Sequence, residues 1–266
     1  MNNEKIGIGL ITCDRPDFFK KSESSILDLE CIKIIVDDGE NKVNYTLNKK
    51  NTNIPKSGVA KAKNIALEYL IDQKCDHIFL MEDDIEIINK EILEKYIEAS
   101  KSTGIKHFNY GLHGNHNLGY NNAPIIRKTV NYPDNTKINL YPNLLGAFSY
   151  YHIDVLKKIG LMDENFYNAL EHVDHTYQII QKKYHPPFRW FADIENSNDY
   201  LKDIVPDHQQ SKIRNENDFQ QTFIKALDYF ISKNGFSVVQ GYGPVEKNFS
   251  EKQCLDNLKV IWKNNQ

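Results

Sequence analysis

Three consecutive acids, Glu82-Asp83-Asp84, end a short apolar run that begins at His77. An apolar run of this length, bounded by polar residues, is typical of a buried strand, and ligands of open α/β sheets bind where such strands end. Adjacent carboxylates repel one another, so they are costly to keep unless a cation neutralises them. Mg²⁺ and Mn²⁺ prefer oxygen ligands and share their remaining positions with substrate phosphates. The motif predicts a metal–diphosphate site, with an ordinary acidic loop as the alternative.

The elements that would position these acids alternate between strand and helix over the first hundred residues. Strands are predicted at 5–12, at 32–36 and in the run before Glu82, and helices at 17–29, 59–72 and 90–102. This alternation predicts a parallel sheet covered by helices on both faces. The first two strands also end in polar residues, namely Thr12-Cys13-Asp14-Arg15 and Asp37-Asp38. Because parallel strands finish at one edge of the sheet, a single composite site is expected there.

The second half of the chain has a more mixed pattern. Strand-like segments cover 105–112, 126–140 (a hairpin turning at Pro133-Asp134-Asn135) and 188–192, and an apolar, aromatic segment covers 144–151. Helices are predicted at 153–159, 170–183, 217–232 and 250–263. Trp190 and the Tyr150-Tyr151 pair could stack on a sugar ring, with core packing as the default for such aromatics.

Composition argues against several classes of protein. The 266 residues carry a net charge of −3 with acidic and basic residues interspersed, which argues against a nucleic-acid surface. No apolar stretch has the length needed to cross a membrane, and the N-terminus has no signal-peptide pattern. The four cysteines are widely spaced without a CxxC pair, so we expect reduced thiols in a cytoplasmic protein.

Five motifs, in this order along the chain, resemble those of the GT-A fold glycosyltransferases, nearest to the inverting family 2. They are Thr-Cys-Asp-Arg-Pro from residue 12, Val-Asp-Asp-Gly from 36, Gly-Val-Ala-Lys-Ala-Lys-Asn from 58, Glu-Asp-Asp from 82 and Gly-Leu-Met-Asp-Glu-Asn-Phe from 160. Over about residues 5–195, the resemblance implies a Rossmann-like α/β fold with a mostly parallel sheet and helices on both faces. We expect a catalytic domain at 1–205, with a nucleotide-binding half at 1–104 and an acceptor-binding half at 105–205. A helical C-terminal extension would follow at 206–266.

The activity that the resemblance implies is transfer of a hexosyl or N-acetylhexosaminyl group from a UDP-sugar, with inversion and with Mn²⁺ or Mg²⁺ as cofactor. The acceptor would be a hydroxyl of a glycan or glycoconjugate, in polysaccharide biosynthesis. The C-terminal helices could contact the acceptor, a partner chain or, peripherally, a membrane surface. Two alternatives stay open: a nucleotidyltransferase, although no glycine-rich signature follows the first strand, and a non-catalytic sugar-nucleotide-binding relative.

The residues that the resemblance assigns to the donor are Thr12, Arg15, Asp38, Lys63, Asn64, Glu82 and Asp83. Thr12 and Arg15 would line the nucleotide base, and Asp38 would hold the uracil or the ribose. Lys63 and Asn64 would face the diphosphate. The structural alternatives are a turn acid for Asp38 and a solvated helix face for Lys63.

The metal would be held by the last acid of the motif, Asp84. Glu82 would contact the ribose or a metal-bound water, and Asp83 could serve as a second ligand. A late histidine completes the metal shell in several GT-A enzymes, which makes His208 a candidate third ligand; an ordinary surface histidine is the alternative.

Inverting transfer also needs a general base to take the proton from the acceptor hydroxyl. The family's usual aspartate, in a Glu-Asp pair at a helix start, corresponds here to His172. Three candidates therefore stay open, of which we favour Glu171, then His172, then Asp174. His172 and His175, three apart, also raise the possibility of a zinc site, but no HExxH or CxxC ligand pattern accompanies them.

Overall fold

The computed structural model describes residues 4–41, 50–204 and 217–264. Its strands are β1 (Ile6–Thr12), β2 (Ile32–Asp37), β3 (Lys50–Asn53), β4 (His77–Glu82), β5 (Ile85–Ile87), β6 (His107–Asn109), β7 (Lys128–Asn131), β8 (Lys137–Tyr141), β9 (Phe148–His152), β10 (Phe191–Ile194) and β11 (Leu201–Asp203). Its helices are α1 (Pro16–Ile26), α2 (Val59–Asp72), α3 (Ile92–Thr103), α4 (Ile153–Ile159), α5 (Glu171–Gln181), α6 (Phe219–Asn234) and α7 (Glu251–Lys263).

The central sheet has the strand order β3-β2-β1-β4-β9-β6, in which the first four strands are parallel and β9 is antiparallel to both neighbours. Strands β10, β8 and β7 form a second, antiparallel sheet, and β11 pairs with β5. In the parallel register, Thr12 lies beside Asp37 and Ile11 lies beside Glu82. The predicted α/β class is confirmed, and the polar ends of β1, β2 and β4 meet at one edge.

Two glycines of β1 let helix α2 approach the sheet closely. A Cβ atom on Gly9 would lie 2.7 Å from the Cβ of Ala66, and one on Gly7 would lie 2.6 Å from Cδ2 of Leu70. Only residues without a Cβ fit such a close helix–strand contact. This packing fixes the middle and last turns of α2 on β1, whereas the predicted site lies at the other end of the strand, where α2 begins.

The C-terminal helices share the core of the rest of the chain. Cys254, Leu258 and Ile261 of α7 are buried in the cluster that also contains Phe79 of β4. Helix α6 buries Phe230 in another cluster, together with aromatic residues that flank α5. The division at residue 205 stays a prediction, but α7 packs against α3 within this core cluster.

Three strands, β3, β5 and β11, were absent from the sequence prediction. Strand β3 reads Lys-Asn-Thr-Asn, which contains no apolar residue, and lies at the sheet edge, where a hydrophobic pattern is weakest. Strand β5 has three residues directly after the acids and gains its partner, β11, from far along the chain. The predicted hairpin is confirmed as β7–β8. Among the described residues, no helix is long and apolar enough to cross a membrane.

Candidate active site

Side chains from the ends of β1, β2 and β4 line a small cavity at the sheet edge. It is bounded by Ile11, Thr12, Cys13, Arg15, Asp38, Val59, Glu82 and Asp83. Five of the seven residues that the sequence assigned to a donor are in this set. A large cavity of about 330 Å³ adjoins it and shares Val59 and Glu82 with it.

The large cavity is lined by both polar and apolar residues. The ionisable and histidine side chains in its lining are Glu82, His113, His116, Glu171, His172 and Arg189. The apolar lining includes Leu144, Leu170, Phe188, Phe191, Phe219 and Phe223. Trp190 and the Tyr150-Tyr151 pair are buried in the core, as the default of core packing predicts, and they line neither cavity.

Arg15 neutralises two of the three clustered acids. Its guanidinium pairs with the fully buried Asp83 and donates to Oδ2 of Asp84 at 3.3 Å. The hydroxyl of Thr12 donates to the other Asp83 oxygen at 2.7 Å. Both oxygens of Asp83 are therefore engaged within the protein, and a cation of the chain itself relieves part of the repulsion that we expected a metal to relieve.

Asp84 differs from Asp83 because one of its carboxylate oxygens has no hydrogen-bond partner among the described residues. Its Oδ1 atom is buried and accepts no hydrogen bond from the residues that the structure describes. Burial opposes ionisation of this carboxyl, but the positive charges of His113 and Arg15 lower its pKa below the usual value. A charged carboxylate with an open oxygen fits a divalent cation that takes its other ligands from water and phosphate. Within the described ranges no three metal-binding side chains cluster, and His208 lies outside those ranges.

His113 lies beside these acids and also lines the large cavity. Its Nδ1 atom is 2.9 Å from Oδ1 of Asp203, whose Oδ2 accepts a hydrogen bond from the Gly114 amide at 2.6 Å. Burial opposes protonation, but Asp84 and Asp203 outweigh it and raise the pKa of His113 to about 9. No sequence signal pointed to this contact, because Asp203 reaches the site only through the long-range β11–β5 pair.

Lys63 is buried between two acids. Its Nζ atom lies 2.7 Å from Oε1 of Glu82 and 2.9 Å from Oε1 of Glu171, and it is 3.3 Å from the Gly146 carbonyl. Burial disfavours the charge, but the two carboxylates raise the pKa of Lys63 above its usual value. The side chain is 1% exposed and does not line either cavity, so it links β4 to α5 instead of facing a diphosphate.

Asp38 is both a turn acid and part of the cavity lining. Its carboxylate accepts hydrogen bonds from the amides of Ser57, at 2.6 Å, and Gly58, at 2.9 Å, just before α2 begins. Burial outweighs these bonds and raises the pKa of Asp38 to about 6. The residue thus holds the start of α2 against the end of β2.

Two other predicted residues have structural contacts away from the cavities. Asn64 receives a hydrogen bond from the Met162 amide and donates one to the Met162 carbonyl, both at 2.9 Å. Asp174 accepts bonds from Lys233 at 2.8 Å and Asn234 at 2.9 Å, which tie α5 to α6. Neither residue lines either cavity. His175 is buried with its Nε2 atom against the Gly160 carbonyl, so the zinc alternative is not supported.

Glu171 and His172 form a contact at the first turn of α5. One oxygen of Glu171, Oε1, is 3.0 Å from Nδ1 of His172 and also contacts Lys63. Burial opposes ionisation, but the charges of Lys63 and His172 lower the pKa of Glu171 far below its usual range. The imidazole lies against the backbone at Gly146, where a Cβ atom would be 2.7 Å from its Cγ.

Known proteins resemble this chain in structure. No protein-family model matches it, and no curated protein matches its sequence. The crystal structure of Staphylococcus aureus TarS has a TM-score of 0.50 at 16% identity, covering 90% of this chain and 46% of that one. The chain has the GT-A fold. It spans about half the length of the TarS chain, at 46%.

Two further structures have lower TM-scores. A mannosyltransferase from Pyrobaculum calidifontis, in complex with GDP-Man and Mn²⁺, has a TM-score of 0.39 at 9% identity, covering 60% of this chain and 47% of that one. A Drosophila β-1,4-galactosyltransferase 7, in complex with manganese, UDP-Gal and xylobiose, has a TM-score of 0.42 at 11% identity, covering 92% of this chain and 77% of that one.

Proposed function

We propose that the protein is a metal-dependent glycosyltransferase that moves a hexosyl or N-acetylhexosaminyl group from a UDP-sugar to a hydroxyl of a glycan or glycoconjugate, with inversion. The observation that carries the proposal is the pair of adjoining cavities that share Glu82. One is lined by the three strand ends, and the other contains the Glu171–His172 contact. A donor in the first and an acceptor in the second would meet at Glu82.

The donor would bind at the small cavity, with its nucleoside across the opening, because the cavity's volume of about 40 Å³ admits only part of a UDP-sugar. Thr12, Arg15 and Asp38 would surround the nucleoside, since they line this cavity from the ends of two neighbouring strands, β1 and β2. Glu82 would contact the ribose at the junction between the cavities. Lys63 and Asn64 are left out of this donor site because both are engaged elsewhere in the protein.

The metal would be Mn²⁺ or Mg²⁺ held by Oδ1 of Asp84, because that buried oxygen accepts no bond from the described residues. When bound, it would neutralise charge on the departing nucleoside diphosphate. Arg15 and His113 would stay beside it and limit repulsion among the acids. His208 remains a predicted further ligand.

The acceptor would lie in the large cavity. A cavity with an apolar wall and a few converging polar groups suits a ligand that is itself amphipathic, as a sugar ring is. Phe188 and Phe223 would contact the apolar face of the ring, and His172 and Glu171 would lie on the hydroxyl side.

Calorimetric titration of UDP in the presence of Mn²⁺ and then of EDTA tests the donor and metal site. We expect the affinity to fall by about 10- to 100-fold without metal, the worth of one charge-assisted contact. Asp84→Asn should remove the difference and leave the protein folded, because Oδ1 has no partner among the described residues.

Equal UDP affinity under both conditions in the wild-type protein would contradict the metal site. The matched control is Glu86→Gln, which removes a nearby acid that lines neither of the two cavities and should keep the metal dependence. With the best-binding UDP-sugar, the anomeric configuration of the product by proton NMR tests inversion.

A further inference from the structure

We infer that His172 takes the proton of the acceptor hydroxyl and that Glu171 positions it, an inference that rests on the sugar transfer proposed above. Sequence reasoning favoured Glu171 for this step. The contacts of the two side chains, their exposure and the glycine behind the imidazole favour the reverse division of roles.

Glu171 is poorly placed to receive a proton from a substrate. Its side chain is only 4% exposed, and its Oε1 atom already contacts both Lys63 and His172. Protonating Glu171 would weaken its pairing with a lysine that is itself 1% exposed. A buried cation that loses part of its pairing is strongly unfavourable.

His172 has the free surface that Glu171 lacks. Its side chain is 23% exposed and lines the large cavity. With a hydrogen on Nδ1 donated to the Glu171 carboxylate, the neutral ring keeps the lone pair of Nε2 as its proton acceptor. A carboxylate on one ring nitrogen that selects the tautomer and stabilises the imidazolium is the arrangement by which histidine acts as a base in hydrolases.

The plane of the imidazole is set by the backbone at Gly146. A Cβ atom there would lie 2.7 Å from Cγ and 2.9 Å from Nδ1 of the ring. The carbonyl of the same residue is 3.3 Å from Nζ of Lys63. One backbone segment therefore contacts both partners of Glu171, and the ring is held between that segment and the carboxylate.

In the proposed step, the sugar is transferred by a single displacement at its anomeric carbon. The acceptor oxygen forms a bond to the anomeric carbon as its proton passes to Nε2 of His172, and the bond from that carbon to the diphosphate oxygen breaks with its electron pair leaving on UDP. The imidazolium faces a carboxylate whose lysine partner is shared with Glu82 at 2.7 Å. The proton then leaves to solvent through the cavity. The ring contacts Glu171, which is paired with Lys63, and lies within electrostatic reach of the buried His107. The other charged or titratable groups that line the same cavity are Glu82, His113, His116 and Arg189.

Kinetics of UDP-sugar hydrolysis, with water as the acceptor, test this division of roles. The donor is the tightest binder among UDP-glucose, UDP-galactose and their N-acetyl forms. His172→Asn keeps an amide near the Nδ1 position but offers no base, so kcat should fall by about 10²- to 10⁴-fold with the donor Kd unchanged, and the acidic limb of the pH profile should vanish.

Glu171→Gln should lower kcat while keeping an acidic limb, because His172 is still present as the base but has lost the carboxylate that orients its ring. The inference would be overturned if the acidic limb of the pH profile disappeared in Glu171→Gln and persisted in His172→Asn. Wild-type protein that binds none of the four donors would instead remove the proposed function itself.

A spectroscopic measurement needs no substrate. In protein labelled with ¹⁵N-histidine, the His172 signals are assigned by their loss in His172→Asn. We expect the neutral ring to carry its hydrogen on Nδ1. A hydrogen on Nε2 would overturn the inference, since that nitrogen could not accept the proton.

Discussion

The two sides of the site are built differently. At the strand ends, polar residues from three adjacent strands gather at one edge, and the acids that follow β4 are partly neutralised by Arg15 and His113. At the start of α5, one buried lysine is paired with two carboxylates, and a glycine contacts the imidazole. The first side is a set of short segments brought together by sheet topology. The second depends on single contacts between residues far apart in sequence, so it should be the more sensitive to substitution.

The largest effect should come from Lys63→Met. It leaves Glu82 and Glu171 close together without their shared cation, and breaking a buried ion pair costs about 3–5 kcal/mol of unfolding free energy. Urea denaturation measures this loss. The control is Lys61→Met on the same helix, where Lys61 is 49% exposed and 3.9 Å from Glu164, and where we expect less than about 1 kcal/mol. Equal losses in the two variants would contradict the contrast between the two sides.

Asp38→Asn should change how stability depends on pH. Burial raises the pKa of Asp38 to about 6 in the fold, above its unfolded value of 3.8. The stability that its protonated form contributes is therefore fully present below 3.8 and lost as pH rises through about 6. Between pH 4 and 7, the free energy of unfolding should fall less in Asp38→Asn than in the wild-type protein, by about 2 kcal/mol at most. Thermal melting at several pH values measures this difference.

Asp38→Ala should also weaken binding of the nucleotide itself, whatever sugar is attached, because the residue lines the small cavity. It should cost about 1 kcal/mol of stability through the lost bonds to Ser57 and Gly58, which Asn can partly retain. A change confined to acceptor use would argue against the donor position.

The smallest effect on catalysis should come from Asp174→Asn. Its carboxylate is occupied by Lys233 and Asn234, so the change should lower stability by about 1–2 kcal/mol and leave kcat within about twofold. Hydrolysis of the bound UDP-sugar gives the rate, and thermal melting gives the stability. A loss of rate comparable to that of His172→Asn would restore Asp174 as a base.

The sequence was informative about the strand ends and less so about the base. Polar residues after an apolar run are adjacent in the chain, and alternation alone puts the ends of parallel strands together, so Thr12, Asp38 and Glu82 could be predicted to share an edge. Lys63 contacts Glu171 because α2 and α5 lie close together in the fold. The spacing of residues along one helix cannot predict how far that helix lies from another.

The same reason explains His113 and Gly146. Each acquires its role from a residue at least 26 positions away in the chain: His113 from Asp203 and Gly146 from His172. The residue types gave no signal, because a histidine before a glycine and a glycine before an alanine are both common in loops. Side-chain directions, which only the folded chain supplies, decide these roles.

Helix α7 has a practical consequence for anyone who shortens this protein. Cys254, Leu258 and Ile261 of α7 are 0%, 3% and 0% exposed. If the chain were cut after α6, the apolar core residues that they cover would form an exposed patch. Such an exposed patch favours self-association. A truncated expression product that ends before residue 251 should therefore aggregate even though it retains every residue assigned to the two cavities.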